Sequence, residues 1–133
     1  MTIALKYVNV TVNDVDEALK FYTDGLGMSI QMDVSNGGFR WVTVGSPDQP
    51  GLGVVLSVPH AGRSQADGDA LQELLTKGML PSIVFLTDDV DAAFERLQAH
   101  GAEVLQEPIA QDWGQKDCAL RDPSGNMVRI AQM

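Results

Sequence analysis

YVNVTVNDVDEALKFYTDGLG at residues 7–27 and SIVFLTDDVDAAFERLQAHG at residues 82–101 are two versions of one plan. A shift of 75 positions lays Asp14-Val15-Asp16 on Asp89-Val90-Asp91, and Ala18 on Ala93. In each copy an apolar strand runs into an acidic cap and then a helix. Two copies are too few for a solenoid, so they imply a duplicated module.

The first copy sets the pattern. Val8, Val10 and Val12 form one face of a strand over residues 3–12, and Tyr7, Asn9 and Thr11 form the other. Asn13 or Asp14 caps the helix that follows. Val15, Ala18, Leu19 and Tyr22 recur at helical spacing, and Gly25 and Gly27 end the helix. Strands are expected at 28–34, 39–44 and 52–58, with Asn36-Gly37-Gly38 turning the first hairpin. The second copy repeats this: a strand at 82–86, a helix begun by Asp88 or Asp89 and ended by Gly101, and strands at 103–105, 115–121 and 127–131. Val90, Ala93, Phe94 and Leu97 give its helix an apolar face. Residues 108–114 read as a loop, and Asp122-Pro123-Ser124-Gly125 as a tight turn. Between the copies, residues 59–80 read as a linker with one or two helical turns at 69–76, serving as a flap or as packed connection. The fold class is α+β: two tandem βαβββ modules, about 3–58 and 81–133, in one domain over residues 1–133.

Composition narrows the partners. The 133 residues carry a formal charge of -9 and are 44% hydrophobic, an ordinary mixture for a globular chain. Such acidity disfavours nucleic acid and anionic membrane surfaces. No apolar run approaches the roughly 20 residues of a membrane span. Cys118 is the only cysteine, which rules out an internal disulfide and suits a cytoplasmic setting. It reads as a small core residue. No signal peptide is visible at the start.

NDVDEALKFYTDGLGM near the start and LRDPSGNMVRI near the end resemble the vicinal oxygen chelate superfamily, the group of glyoxalases, bleomycin-resistance proteins and ring-cleaving dioxygenases. The resemblance covers the whole chain. It implies that the modules curl into a half-barrel cleft and that the chain pairs as a homodimer. It also implies a divalent metal held from the first and last strands of each module in the family's enzymes. The repeat locates those places at Tyr7 and at Val55, Leu56 or Ser57 in the first module, and at Ser82 and Arg129 in the second. Phenol and serine hydroxyl are poor ligands, aliphatics cannot ligate, and a guanidinium repels a cation. No metal or other cofactor is therefore expected. His60 and His100 lie in no two-ligand spacing; His60 reads as a solvated loop residue and His100 as a helix C-terminal one.

No P-loop, GxGxxG or GxSxG is present, so nucleotide binding and serine hydrolysis lack their marks. The expected ligand-facing set is Tyr7, Asn9, Thr11, Ser82, Val84, Leu86 and Arg129, with Trp113 on a loop above. Trp41 or Arg40 joins it according to register, and Asp117 faces either way. An aromatic lid and a guanidinium suit a planar or carboxylate-bearing organic ligand. Two functions stay open: binding of a small organic molecule without metal, or a lyase, isomerase or dioxygenase. The enzyme would use relocated metal ligands, or Tyr7 or Asp117 as base. Arg129 also reads as a structural partner of Asp117, and both tryptophans as core or dimer packing.

Overall fold

The computed structural model describes residues 1–133, and the chain divides into two units, Met1–Glu73 and Leu74–Met133. Each unit carries one four-stranded mixed sheet. In the first, β1 (Tyr7–Thr11), β2 (Ser29–Asn36), β3 (Phe39–Gly45) and β4 (Gly53–Ser57) lie in the order β1-β4-β3-β2. In the second, β5 (Ile83–Thr87), β6 (Glu103–Ala110), β7 (Lys116–Arg121) and β8 (Met127–Gln132) lie in the order β5-β8-β7-β6. β1 runs parallel to β4 and β5 parallel to β8, while the other pairs are antiparallel. One irregularity also repeats. Register slips by one residue between Ile30 and Met32 in β2 and between Val104 and Gln106 in β6. The fold class and the repeat are thus as the sequence indicates, and both sheets are open rather than closed.

One helix covers one face of each sheet. Asp14 starts α1 (Val15–Leu19), its carboxylate accepting from Glu17 N at 2.9 Å. Asp89 starts α3 (Val90–Ala99) in the same way, accepting from Ala92 N at 3.0 Å. Each cap satisfies an amide that the helix itself leaves unpaired. α1 continues as a π-helical turn over Lys20–Gly25, with Leu26 N donating to Phe21 O. The widened turn buries both Phe21 and Tyr22, neighbours that an ordinary helix would point apart, with their rings edge to face at 5.1 Å. The first core is Val12, Val15, Ala18, Tyr22, Val42, Val44, Val54 and Leu56. The second is Val90, Phe94, Leu97, Cys118, Leu120, Val128 and Ile130. Gly37 and Gly38 both take positive φ, as the two-residue hairpin at Asn36 requires.

Three expectations need correction. β6 runs to Ala110, where a loop was expected from residue 108. Pro108 is tolerated because β6 is an edge strand, where an N–H can be missing without breaking the ladder. α2 (Gln65–Thr76) is twelve residues long rather than one or two turns. Ser64 begins it, its hydroxyl accepting from Asp67 N at 3.2 Å. His60 lies on a turn, as expected, but is held rather than simply solvated: its Nε2 lies 2.8 Å from Asp69 Oδ1. Its ring also fills the space that a Cβ at residue 68 would take, which explains a glycine within α2. His100 is the C-cap of α3, as expected.

Candidate functional site

The face of each sheet opposite its helix is open, and its side chains follow from the strand pairing. In the first unit Asn9, Val55, Thr43 and Met32 form one row across the sheet, and Trp41 stands beside Val34. Tyr7 and Thr11 alternate with the helix-facing Val8 and Val10, so they share this open face. Arg40 points the other way and joins Asp16 of α1 at 2.7 Å and Asp33 at 2.8 Å. The register therefore selects Trp41, not Arg40. Gln31, released by the bulge, lies flat over Gly45 and Gly53, its amide 3.4 Å from Leu52 O. A shallow depression of about 410 Å³ opens there, lined by Lys6, Tyr7, Gln31, Met32, Ser46 and Pro47 among others.

In the second unit the matching row is Val84, Arg129, Ala119 and Gln106. The next row is Leu86, Ala131, Asp117 and Ile109. Asp117 thus faces the open side, while Cys118 faces the helix. Row against row, Arg129 corresponds to Val55, narrowing the three candidates that counting left.

Asp117 is only 2% exposed, yet none of its oxygens is orphaned. Oδ1 accepts from Gln111 Nε2 at 2.7 Å and Gln106 Nε2 at 3.0 Å, and Oδ2 from Arg129 Nη1 at 3.1 Å. Burial pushes its carboxyl up, but the donors Gln111, Gln106 and Arg129 prevail and hold it below the usual carboxylate range. An anion stabilised by three donors is a weak proton acceptor. Gln106 Oε1 accepts in turn from Gln111 at 3.2 Å and Arg129 at 3.3 Å. Sequence reading missed both glutamines: Gln106 lies beyond the expected end of its strand, and Gln111 in an expected loop.

The apolar residues on these faces remain uncovered by their own unit. Val84 is 59% exposed and Leu86 61%, and Met32, Val34 and Ile109 are nearly half exposed. Trp113, on the turn between β6 and β7, is 70% exposed, so it belongs to no core of this chain. Ser82 is exposed just before β5, and Trp41 is half-buried.

Residues 4–130 match the Glyoxalase/Bleomycin resistance protein/Dioxygenase superfamily. The chain belongs to that superfamily. Across 125 residues it is 32% identical to the uncharacterized protein YurT of Bacillus subtilis (strain 168), covering 93% of this chain and 94% of that one. The crystal structure of UcmS2 superposes with a TM-score of 0.89 at 30% identity, covering 100% of both chains. TnmS3, an antibiotic binding protein from Streptomyces sp. CB03234, superposes at 0.77 with 26% identity, covering 99% of this chain and 98% of that one.

The superfamily's enzymes imply a divalent metal, and the residues present do not fit one. By the count from the repeat, Tyr7 and Val55 would fall at the two places in the first unit, and Ser82 and Arg129 at those in the second. No group of three or more His, Cys, Asp and Glu side chains converges anywhere in a metal-binding arrangement. The Arg129 guanidinium is joined to Asp117, and its fixed positive charge would repel a cation beside it. No helix is long and apolar enough to cross a membrane.

Proposed function

We propose that the protein binds a small organic molecule on the open sheet faces, without a metal, and makes or breaks no bond in it. The observation that carries this reading is the exposed apolar floor. A sheet face meant only for water alternates to polar side chains, whereas here Met32, Val34, Val84, Leu86 and Ile109 stand on it. Exposed apolar patches of this kind mark binding surfaces, and pockets combine such walls with a few placed polar groups. Tyr7, Asn9, Thr11 and Trp41 supply those groups in the first unit, and Ser82, Trp113, Asp117 and Arg129 in the second. The likeness to an antibiotic binding protein supports the same reading. Chemistry through Asp117 is disfavoured by its three donors.

The experiment pairs two measurements. Native mass spectrometry of protein purified without chelator is expected to show the bare chain mass; one stoichiometric divalent metal per chain would overturn the metal-free reading. Thermal unfolding is then followed against a panel of flat aromatic antibiotics. A ligand at 100 times its Kd stabilises by about 2.7 kcal/mol, so a binder raises Tm by several degrees. Turnover of a bound compound would overturn the binding-only reading.

Exposed Ile30, Met79 and Leu105, outside the proposed ligand-facing rows, favour self-association, and we propose a homodimer. Light scattering on the eluting protein is expected to give twice the 14.3 kDa chain mass; a monomer at micromolar concentration would exclude it.

A further inference from the structure

Arg129 uses one side of its guanidinium on the protein. Nη1 donates to Asp117 and to Gln106. Nε and Nη2 donate to no group of the chain, and neither is buried, so both reach the open face. The side chain as a whole keeps 28% exposure. The Nε–H and one Nη2–H of a guanidinium point the same way, at the spacing of two oxygens on one planar group. Asp117 and Gln106 hold the opposite corner, so the fork is aimed before any ligand arrives, and less freedom is lost on binding. Beside it stand exposed Val84 on the same row and Leu86 on the next.

Charge narrows the ligand further. The fixed Asp117 carboxylate offsets the Arg129 charge, so the cluster is neutral when empty and carries a single negative charge once a monoanion binds. A dianion such as a phosphate monoester would leave an excess negative charge beside a buried carboxylate, in a chain that is already at -9. A lone carbonyl would use half the fork.

Resting on the small-molecule reading above, we infer that Arg129 is the specificity anchor of the second unit's open face, and that it selects a monoanionic carboxylate carried on a flat apolar body. Gln106 and Gln111 are positioning residues that hold Asp117, and through it the fork.

The test uses three probes on one ring system: 2-naphthoate, 2-acetylnaphthalene and 2-naphthyl phosphate. Binding is read from tryptophan fluorescence, and from the Arg129 Nε–H resonance in the nitrogen–proton spectrum. Naphthoate is expected to bind about tenfold or more tighter than the ketone, the scale of one charge-assisted hydrogen bond, and to move the Nε–H resonance downfield. Arg129→Met is expected to erase that preference, weakening naphthoate far more than the ketone, which loses only one neutral hydrogen bond. Arg129→Lys, which keeps charge but not the fork, is expected to lose most of the preference. Equal binding of naphthoate and ketone, a preference that survives Arg129→Met, or tighter binding of the phosphate would each overturn the inference and leave small-molecule binding standing. Failure of all three probes to bind would overturn the anchor, while the antibiotic panel separately decides the broader reading.

Discussion

Arg129 Nη1 and Asp117 Oδ2 stand 3.1 Å apart on the diagonal between β8 and β7. The pair is lopsided. Asp117 is buried and surrounded by three donors, whereas Arg129 still faces solvent along one edge. Removing either partner therefore has unequal consequences. Asp117→Ala removes the acceptor shared by two glutamine amides and a guanidinium, leaving them only their longer bonds, and is expected to destabilise by about 2–4 kcal/mol. Arg129→Met leaves the carboxylate two donors and is expected to cost about 1–2 kcal/mol. In urea unfolding the double variant is expected to lose less than the two single losses together, because the pair couples. Additive losses would mean that the contact contributes nothing.

Asp117 also fixes the direction of a pH dependence. Its carboxyl lies below the usual range in the folded chain, against burial, because Gln111, Gln106 and Arg129 donate to it. A depressed folded value means stabilisation that is full above the unfolded value of about 3.9 and is lost as pH falls through the folded one. The stability gap between wild type and Asp117→Asn is thus expected to hold steady from about pH 7 to 5 and to shrink below about pH 4. Asp33, beside Arg40, and Asp69, beside His60, shift in the same direction. Wild type alone would blend the three, so the difference between the two proteins is the quantity to measure.

The parts legible in the sequence were those governed by local rules. Asp14, Asp89, Gly101 and the Asn36-Gly37-Gly38 hairpin follow from capping and turn chemistry, and strand alternation put Tyr7, Asn9 and Val84 on one kind of face. The repeat then located Arg129. What stayed hidden needed pairing information. Trp41 and Arg40 are adjacent, so only the β3–β4 register decides which faces the open side. Gln106 enters the cluster because the β6 bulge and an edge position let the strand continue past Pro108, which local rules read as a stop. His60 next to Gly68 is a tertiary contact with no periodic signature.

Cys118 offers a test of the second core. Burial pushes its thiol up to about 11, with the Asp117 charge adding to the effect. It is fully enclosed between α3 and its sheet neighbours. A buried thiol that stays protonated is a poor nucleophile. Ellman's reagent at about pH 8 is expected to leave the native thiol untouched and to titrate one thiol per chain in urea. Its slow native reaction is expected to follow opening of the second unit. Fast reaction of the folded protein would contradict the packing of β7 against α3.

Gly45 and Gly53 underlie Gln31 on the first unit's open face, and their surroundings differ in a way that mutation can read. A Cβ at Gly53 would stand 2.6 Å from Thr43 Cγ2 and 2.7 Å from Gln31 Oε1, both side-chain atoms. A Cβ at Gly45 would stand 2.8 Å from the Leu52 carbonyl oxygen, which belongs to the backbone, and would also meet the Gln31 amide. Overpacking of this kind costs about 1–3 kcal/mol, and more where the neighbour cannot yield. Gly45→Ala is therefore expected to lower Tm further than Gly53→Ala. Thr43→Ser removes the methyl that obstructs residue 53 and leaves Leu52 where it is. It is expected to restore much of the loss in Gly53→Ala and none of it in Gly45→Ala, measured as Tm against Thr43→Ser alone. Equal rescue of both would show that Gln31, rather than Thr43 and Leu52, sets the space on this face.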